Sequence, residues 1–389
     1  MQRLEAYVEN RIGQHLRDRR KRESFAMYAF GILSDGERKS AEPIAARACG
    51  DPDRARQTHD KLLHFLARSS WSDRAVRREA ALYAVEALAA REPVTTWIVD
   101  DTGFLKQGTH SVGVQRQYTG SAGKIANCQL GVSLVVATPT EHVPIDFALY
   151  LPESWTSDAL RRKEAHIPEA VVFRTKIELA IDMMRRAHED GIPGELVLAD
   201  AFYGRASEFR AAILELGLDY AVAVDSDTHV RLLDDGIPRE GPVRVDGAVS
   251  ERRAFRRVTW REGSNRTMVS RFCFRRVLAP GSAEPQWLVV EWPEHEEKPT
   301  KFVLTTLPRR LSQKQIVRLF QERWRTERAY EDLKGELGLD HFEGRSFPGW
   351  HHHVSVVLCC YAFIVAERTR SFPPSRRRSR TARAHSVAA

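Results

Sequence analysis

VTTWIVDDTG, residues 94–103, decides how this chain is read. Its β-branched and aromatic residues favour a strand, and the strand closes on two adjacent acids, Asp100 and Asp101. A carboxylate at the end of a buried strand is expensive to desolvate unless it is paired, solvated or bound to a cation. Successive strand residues face opposite sides of a sheet. Only one of the two acids can therefore share a site with an acid on a neighbouring strand. A second short apolar run, ELVLAD at 195–200, ends the same way, on Asp200.

Working outward, CQLGVSLVVAT and VPIDFALYLP read as two more strands after the first. VVFRTKIELAIDMMRRAHEDG reads as an amphipathic helix ending at Gly191. ELVLAD is a buried strand, SEFRAAILELG a helix and DYAVAVD a strand. The order βββαβαβ predicts an α/β sheet covered on both faces, with a meander first. In that topology the first and fourth strands lie side by side. Two carboxylates there concentrate negative charge unless a cation sits between them. With no His or Cys nearby, a hard ion such as Mg²⁺ or Mn²⁺ suits the donors better than zinc.

Residues 1–92 read as an all-helical, Arg-rich leader. Phe25, Tyr28 and Ile32 recur at helical spacing, and Leu62, Leu63, Phe65 and Leu66 form a second apolar side. Asp51-Pro52 starts one helix, and Ser72 or Asp73 caps the next. Such a leader suits DNA binding, and a plain helical bundle with a solvated basic face is the alternative. The sheet region runs over 93–225, a β-rich insertion over 226–300, and the end of the core over 301–367. The tail, 368–389, is basic and low in complexity, and is read as disordered.

With 42% hydrophobic residues the chain can build a sizeable core, and its formal net charge of +8 favours a polyanionic partner. Cys49, Cys128, Cys273, Cys359 and Cys360 are odd in number and scattered, which excludes a disulfide framework or a zinc ribbon and fits a reducing, cytoplasmic setting. The start carries no apolar signal core, and VSVVLCCYAFIVA, 354–366, reads as a buried helix too short to span a bilayer. No membrane and no small-molecule cofactor are expected.

A third acid lies in FQERWRTERAYEDLKGELGL, 320–339. Read as one helix at about 100° per residue, Phe320, Arg323, Glu331 and Lys334 fall within about 40° of Glu327. Trp324 and Tyr330 flank that face. Glu327 and Glu331 both remain open as the third ligand at this point, and a solvated surface helix with an Arg323–Glu327 pair is the plain alternative.

Together these blocks resemble the insertion-sequence transposases of the DDE superfamily, which have an RNase H-like core. They are similar to the branch with a Tyr-x2-Arg-x3-Glu-x6-Lys signature, here Phe320, Arg323, Glu327 and Lys334 with every spacing kept. The likeness extends to DDTGFLKQGTHSVGVQRQYTG and ADAFYG, and covers roughly residues 20–365. It implies an RNase H-like mixed sheet with a β-rich insertion, preceded by helices. It implies Asp101, Asp200 and Glu327 as catalytic and metal-binding residues, holding two Mg²⁺ or Mn²⁺ ions. It implies Arg323 and Lys334 as phosphate grips. Phe320 departs from the signature by lacking the hydroxyl. Trp324, Trp260, Trp287 and Trp292 are candidates to stack on a flipped base. The implied activity is cutting at terminal inverted repeats and joining to target DNA, by a homodimer on DNA that is nucleoid-associated when bound. Rival readings are a nuclease of the same fold and an inactive DNA-binding derivative that represses.

Two other stretches are weighed. GVQRQYTGSAGK lacks phosphate-loop spacing and reads as a loop whose Arg116 and Lys124 line the site or contact DNA. His351, His352 and His353 are consecutive, so on a helix they diverge and do not chelate together.

Overall fold

The computed structural model describes residues 2–249, 251–262 and 267–371. The chain opens with α1 (Gln2–Tyr7), short π and 3₁₀ turns, α2 (Arg19–Leu33), α3 (Ala41–Ala48), α4 (Pro52–Ala67) and α5 (Asp73–Ala89). Asp51 caps α4 through Arg54 N–H, and Ser72 caps α5 through Ala75 N–H. Leu62, Phe65 and Leu66 are buried, whereas Leu63 is exposed, so the apolar stripe is narrower than expected.

The sheet follows: β1 (Thr96–Leu105), β2 (Gln115–Thr119), β3 (Lys124–Ala137) and β4 (His142–Tyr150). After the short helices α6 (Glu153–Thr156) and α7 (Ala159–Glu164) comes α8 (Lys176–Glu189), opened by a Thr175–Glu178 capping box. Then come β5 (Leu196–Ala199), α9 (Ala201–Gly204), α10 (Ser207–Glu215) and β6 (Asp219–Val224). The core order is β4-β3-β1-β5-β6, with β1, β5 and β6 mutually parallel and β3 antiparallel to both neighbours. This is the mixed sheet of an RNase H-like fold. The stretch read as a loop after β1 is instead a hairpin, because β2 pairs with the start of β3.

The β-rich stretch that follows does not stand apart. It contributes β7 (His229–Asp234), β8 (Ile237–Pro238), β9 (Val243–Arg244), β10 (Arg256–Glu262), β11 (Thr267–Leu278), β12 (Gln286–Trp292) and β13 (Lys301–Thr305). β13 pairs with β6, β12 with β13 and β11 with β12, so the sheet continues past the core to 13 strands. Three helices end the described chain: α11 (Gln313–Gln321), α12 (Trp324–Gly335) and α13 (Phe347–Ser371). The tail from residue 372 onward lies outside the described residues.

The sheet is covered on both faces. On one, Trp97, Val99, Leu134 and Val136 join a large cluster with Met183 and Met184 of α8. That cluster also takes in Tyr28 of α2, Phe65 of α4 and Val357 of α13, so the leading helices and the last one share a continuous core. Arg77 of α5 and Arg186 of α8 both bind Asp146 of β4, at 2.9 and 2.8 Å, and tie helices to sheet. On the other face Ile98, Val135 and Leu198 pack against Ile316, Val317 and Phe320 of α11. α13 extends well beyond its apolar run. Its 25 residues would cross a membrane by length and composition, but 83% of its most apolar window is buried inside the fold.

The three histidines diverge as their spacing requires. His351 meets Phe347 O, His352 meets Leu66 O, and His353 meets the Tyr28 hydroxyl. They serve packing and hydrogen bonding in α13.

Candidate active site

The register of two strands places the acids. β1 and β5 run parallel with Val99 beside Ala199. The next residue of each chain segment is an acid, so the backbones of Asp100, in β1, and Asp200, just past β5, come next to each other. Across the other edge Asp100 pairs with Ser133, whose hydroxyl is 2.6 Å from that of Tyr330 on α12. Asp100 therefore lies on the face that α11 and α12 cover. Asp200 is also the N-cap of α9, and its Oδ1 accepts from Phe202 N and Tyr203 N at 3.0 and 3.3 Å. Gly204 is required in this turn, since a Cβ there would collide with Ala223 O of β6.

Asp101 faces the other way. Its Oδ2 accepts from Lys176 Nζ at the start of α8, at 2.7 Å, and from the Tyr203 hydroxyl at 3.3 Å. The Lys176 ammonium also sits 3.9 Å from the centre of the Phe202 ring. The residue singled out by the motif and the residue placed beside Asp200 are thus different. The motif points to Asp101, and the strand register to Asp100.

The opening stretch of the third block is broken into two helices, not one. α11 stops at Gln321, a turn spans Glu322 and Arg323, and α12 begins at Trp324. The break lets each helix seat its own apolar side, Ile316, Val317 and Phe320 on α11 and Ala329 and Leu333 on α12. Phe320 is buried at 6% exposure and packs edge-on against Phe272, 6.0 Å between centres. The ring of Phe320, expected as a DNA contact, thus packs in the core of this structure.

Arg323, at the break, reaches both sides. Its Nη1 donates to Asp100 Oδ2 at 2.8 Å and its Nη2 to Glu327 Oε1 at 3.0 Å. Glu331 turns outward and pairs with Arg328, whereas Glu327 meets the same guanidinium as Asp100. Lys334 lies two turns further along α12. Its Nζ donates to Thr102 Oγ1 and Gly103 O, both at 2.8 Å. Trp324 is half-exposed beneath the Arg261 guanidinium, whereas Trp260, Trp287 and Trp292 pack against Phe272, Phe274 and Phe255. Arg116 and Lys124 are exposed on the β2–β3 hairpin.

Electrostatics marks the same spot. Burial, opposed by Arg323 and reinforced by Asp200, pushes Asp100 up to about 7. Burial, reinforced by Asp101, also raises Asp200, against the Tyr203 backbone N–H, Arg323 and Lys176. Burial disfavours the Arg323 charge, but Asp100, Glu327 and Asp200 outweigh it and raise its pKa. Burial lowers Lys334. A neighbouring pair of acids held above their ordinary range by burial is the kind of perturbed group that marks functional sites.

Sequence reasoning passed over Lys176, Tyr203 and Ser133. Lys176 stood in plain view at the start of a legible helix, but nothing in its spacing told which strand-end acid it would meet.

A family model described as DDE superfamily endonuclease matches residues 11–267. That match spans both strand-end acids and stops short of α12, so Glu327 rests on the motif and on geometry. The probable transposase for insertion sequence element IS701 of Microchaete diplosiphon is 26% identical over 359 residues, covering 91% of this chain and 85% of that protein. With its RNase H-like sheet and a family match over most of its length, this chain belongs to the DDE superfamily of endonucleases.

Proposed function

We propose that this protein is an insertion-sequence transposase that binds the terminal inverted repeats of its element, cuts phosphodiester bonds there and joins the ends to target DNA. The observation that carries the reading is the side-by-side placement of Asp100 and Asp200, on the face where Arg323 also meets Glu327. We assign Asp100, Asp200 and Glu327 as the catalytic carboxylates. Asp101, the choice of the motif, becomes a positioning residue that fixes Lys176 and Tyr203.

The donor set suits a divalent ion. It consists of carboxylate oxygens, two of them on acids that burial holds above their ordinary range. Among the described residues no three His, Cys, Asp or Glu side chains are gathered closely enough to hold an ion as they stand. Arg323 bridges Asp100 and Glu327 instead, as a cation between carboxylates. Asp100, Asp200 and Glu327 would hold Mg²⁺ or Mn²⁺, which supplies an activated water or 3′-hydroxyl and steadies the leaving oxygen.

The remaining residues hold the DNA. Arg323 presents a planar fork suited to bidentate phosphate contact. Lys334, pinned by Thr102 Oγ1 and Gly103 O, is a fixed point charge beside the end of β1. Together they keep the scissile phosphate in line for displacement and offset carboxylate repulsion. The Arg-rich leading helices supply further duplex contact, and synapsis of two ends requires a dimer on DNA.

The test is nicking of labelled end DNA with and without Mg²⁺. Asp200→Ala should bind the DNA and fail to cut it. Equal cutting by variant and wild type refutes the site. Binding without nicking by well-folded wild type points instead to a repressor derived from a transposase.

A further inference from the structure

Arg210 of α10 is a buried charge that the catalytic reading leaves unused. It is 3% exposed and forms no ion pair among the described residues. Burial lowers its pKa, opposed by Tyr220 and Glu208. A guanidinium taken out of water needs acceptors, and here they are backbone carbonyls from two distant segments. Nη1 donates to Gly204 O at 2.5 Å and Nη2 to Pro280 O at 2.6 Å. Tyr220 of β6 meets the same guanidinium, and its hydroxyl donates to Gln286 Oε1 of β12 at 2.7 Å.

Each carbonyl leads somewhere. Gly204 ends α9, the single turn that Asp200 caps, and Gly204 N–H donates back to Asp200 O at 2.8 Å. Pro280 lies in the connection between β11 and β12, within the β-rich stretch. Gly281 follows it at φ +72°, and a Cβ there would stand 2.9 Å from Ser207 Cβ at the start of α10. The β11–β12 connection is thus seated on α10 as well as tied to it through Arg210. An apolar side chain in place of Arg210 would fill the space and fix neither carbonyl. The planar fork fixes both at once.

We infer that Arg210 is a positioning residue for Asp200, the strut through which the β-rich stretch holds the α9 turn at the end of β5. The inference rests on the reading of Asp200 as a catalytic carboxylate. Arg210 acts through the peptide turn from Gly204 to Asp200, not by contact with the reacting groups. Without the strut α9 keeps its seat on β6 and loses its tie to the β-rich stretch, and a small displacement of a catalytic group costs much of the rate.

The experiment compares full-length variants at a fixed interval below each one's own melting temperature. It reads single-turnover nicking of labelled end DNA at saturating Mg²⁺, duplex affinity by fluorescence anisotropy without metal, and Mn²⁺ affinity by isothermal titration without DNA. Arg210→Lys keeps a cation but cannot span both carbonyls. It should slow nicking about tenfold and weaken Mn²⁺ binding by a similar factor, with duplex affinity unchanged. Gly281→Ala displaces the far anchor and leaves Arg210 and Asp200 in place, and it should slow nicking about threefold. Arg77→Met removes the buried arginine that ties α5 to β4. It should lower the melting temperature and leave nicking and Mn²⁺ affinity unchanged. Wild-type nicking and Mn²⁺ affinity in Arg210→Lys and Gly281→Ala overturn the inference and give Arg210 to stability alone. So does an equal loss in Arg77→Met, which would be the general effect of a loosened fold. Asp200→Ala separates the two levels. If it cuts and binds Mn²⁺ like wild type, the reading of the site fails and the strut with it. If it is inactive while Arg210→Lys is unimpaired, only the strut fails.

Discussion

Replacing Asp100 with Asn should stabilise the metal-free protein at neutral pH while destroying its activity. The acid is 13% exposed, and burial beside Asp200 lifts it to about 7 despite Arg323. An unfolded-chain Asp titrates near 3.9, so the difference is about three units, or about 4 kcal/mol. The folded pKa is the raised one. The stabilising contribution is therefore complete below about pH 4 and is lost as pH rises through about 7. Asn mimics the protonated acid at every pH. The stability of Asp100→Asn minus that of wild type should therefore grow by up to about 4 kcal/mol between pH 4 and pH 8. Any constant effect of the substitution, such as a weaker hold on Arg323, cancels in that comparison. Denaturant unfolding in EDTA at a series of pH values measures it. A difference that stays flat across this range, or one that appears in Asp101→Asn instead, would refute the charge assignment. Loss of function together with gained stability is the trade-off expected where a site concentrates like charge.

Three further outcomes follow from the same geometry. Asp101→Asn removes the charge that Lys176 pairs with and weakens the acceptor for Tyr203, so it should lower stability by about 1–3 kcal/mol yet retain part of the nicking activity; complete loss of nicking there, with activity kept in Asp100→Asn, would favour the motif over the register. Mg²⁺ should raise the melting temperature of wild type more at pH 8 than at pH 5, because it supplies the countercharge that ionised Asp100 lacks, and a calorimetric scan in Asp100→Asn should show a smaller gain. Phe320→Ala should cost about 3–5 kcal/mol through a cavity beside Phe272, and its DNA affinity, measured well below the melting temperature, should match wild type.

Much of the architecture is legible along the chain because it depends on local periodicity. The apolar runs ending on Asp100 and Asp200 mark two strands without reference to anything distant, and Thr175, Ser72 and Asp51 announce helix starts through their own backbone bonds. The hairpin of β2 and β3 was hidden because QRQYT alternates exposed polar residues and lacks an apolar face. The break at Glu322–Arg323 was hidden because no Gly or Pro marks it. It arises where two helices find separate seats, Phe320 in one core cluster and Leu333 in another.

From residue order alone came the chemical inventory: two strand-end acids, a third acid spaced between an arginine and a lysine, an excess of positive charge, and a strand order that puts the first and fourth strands together. Spacing cannot choose between Asp100 and Asp101, since both belong to the same dipeptide and differ only in the face they take. That choice belongs to the tertiary structure, because the pairing of Val99 with Ala199 brings the ends of the two strands together and a residue from a third segment, Lys176, pairs with Asp101. Register is a relation between segments distant in sequence, and neither segment contains it.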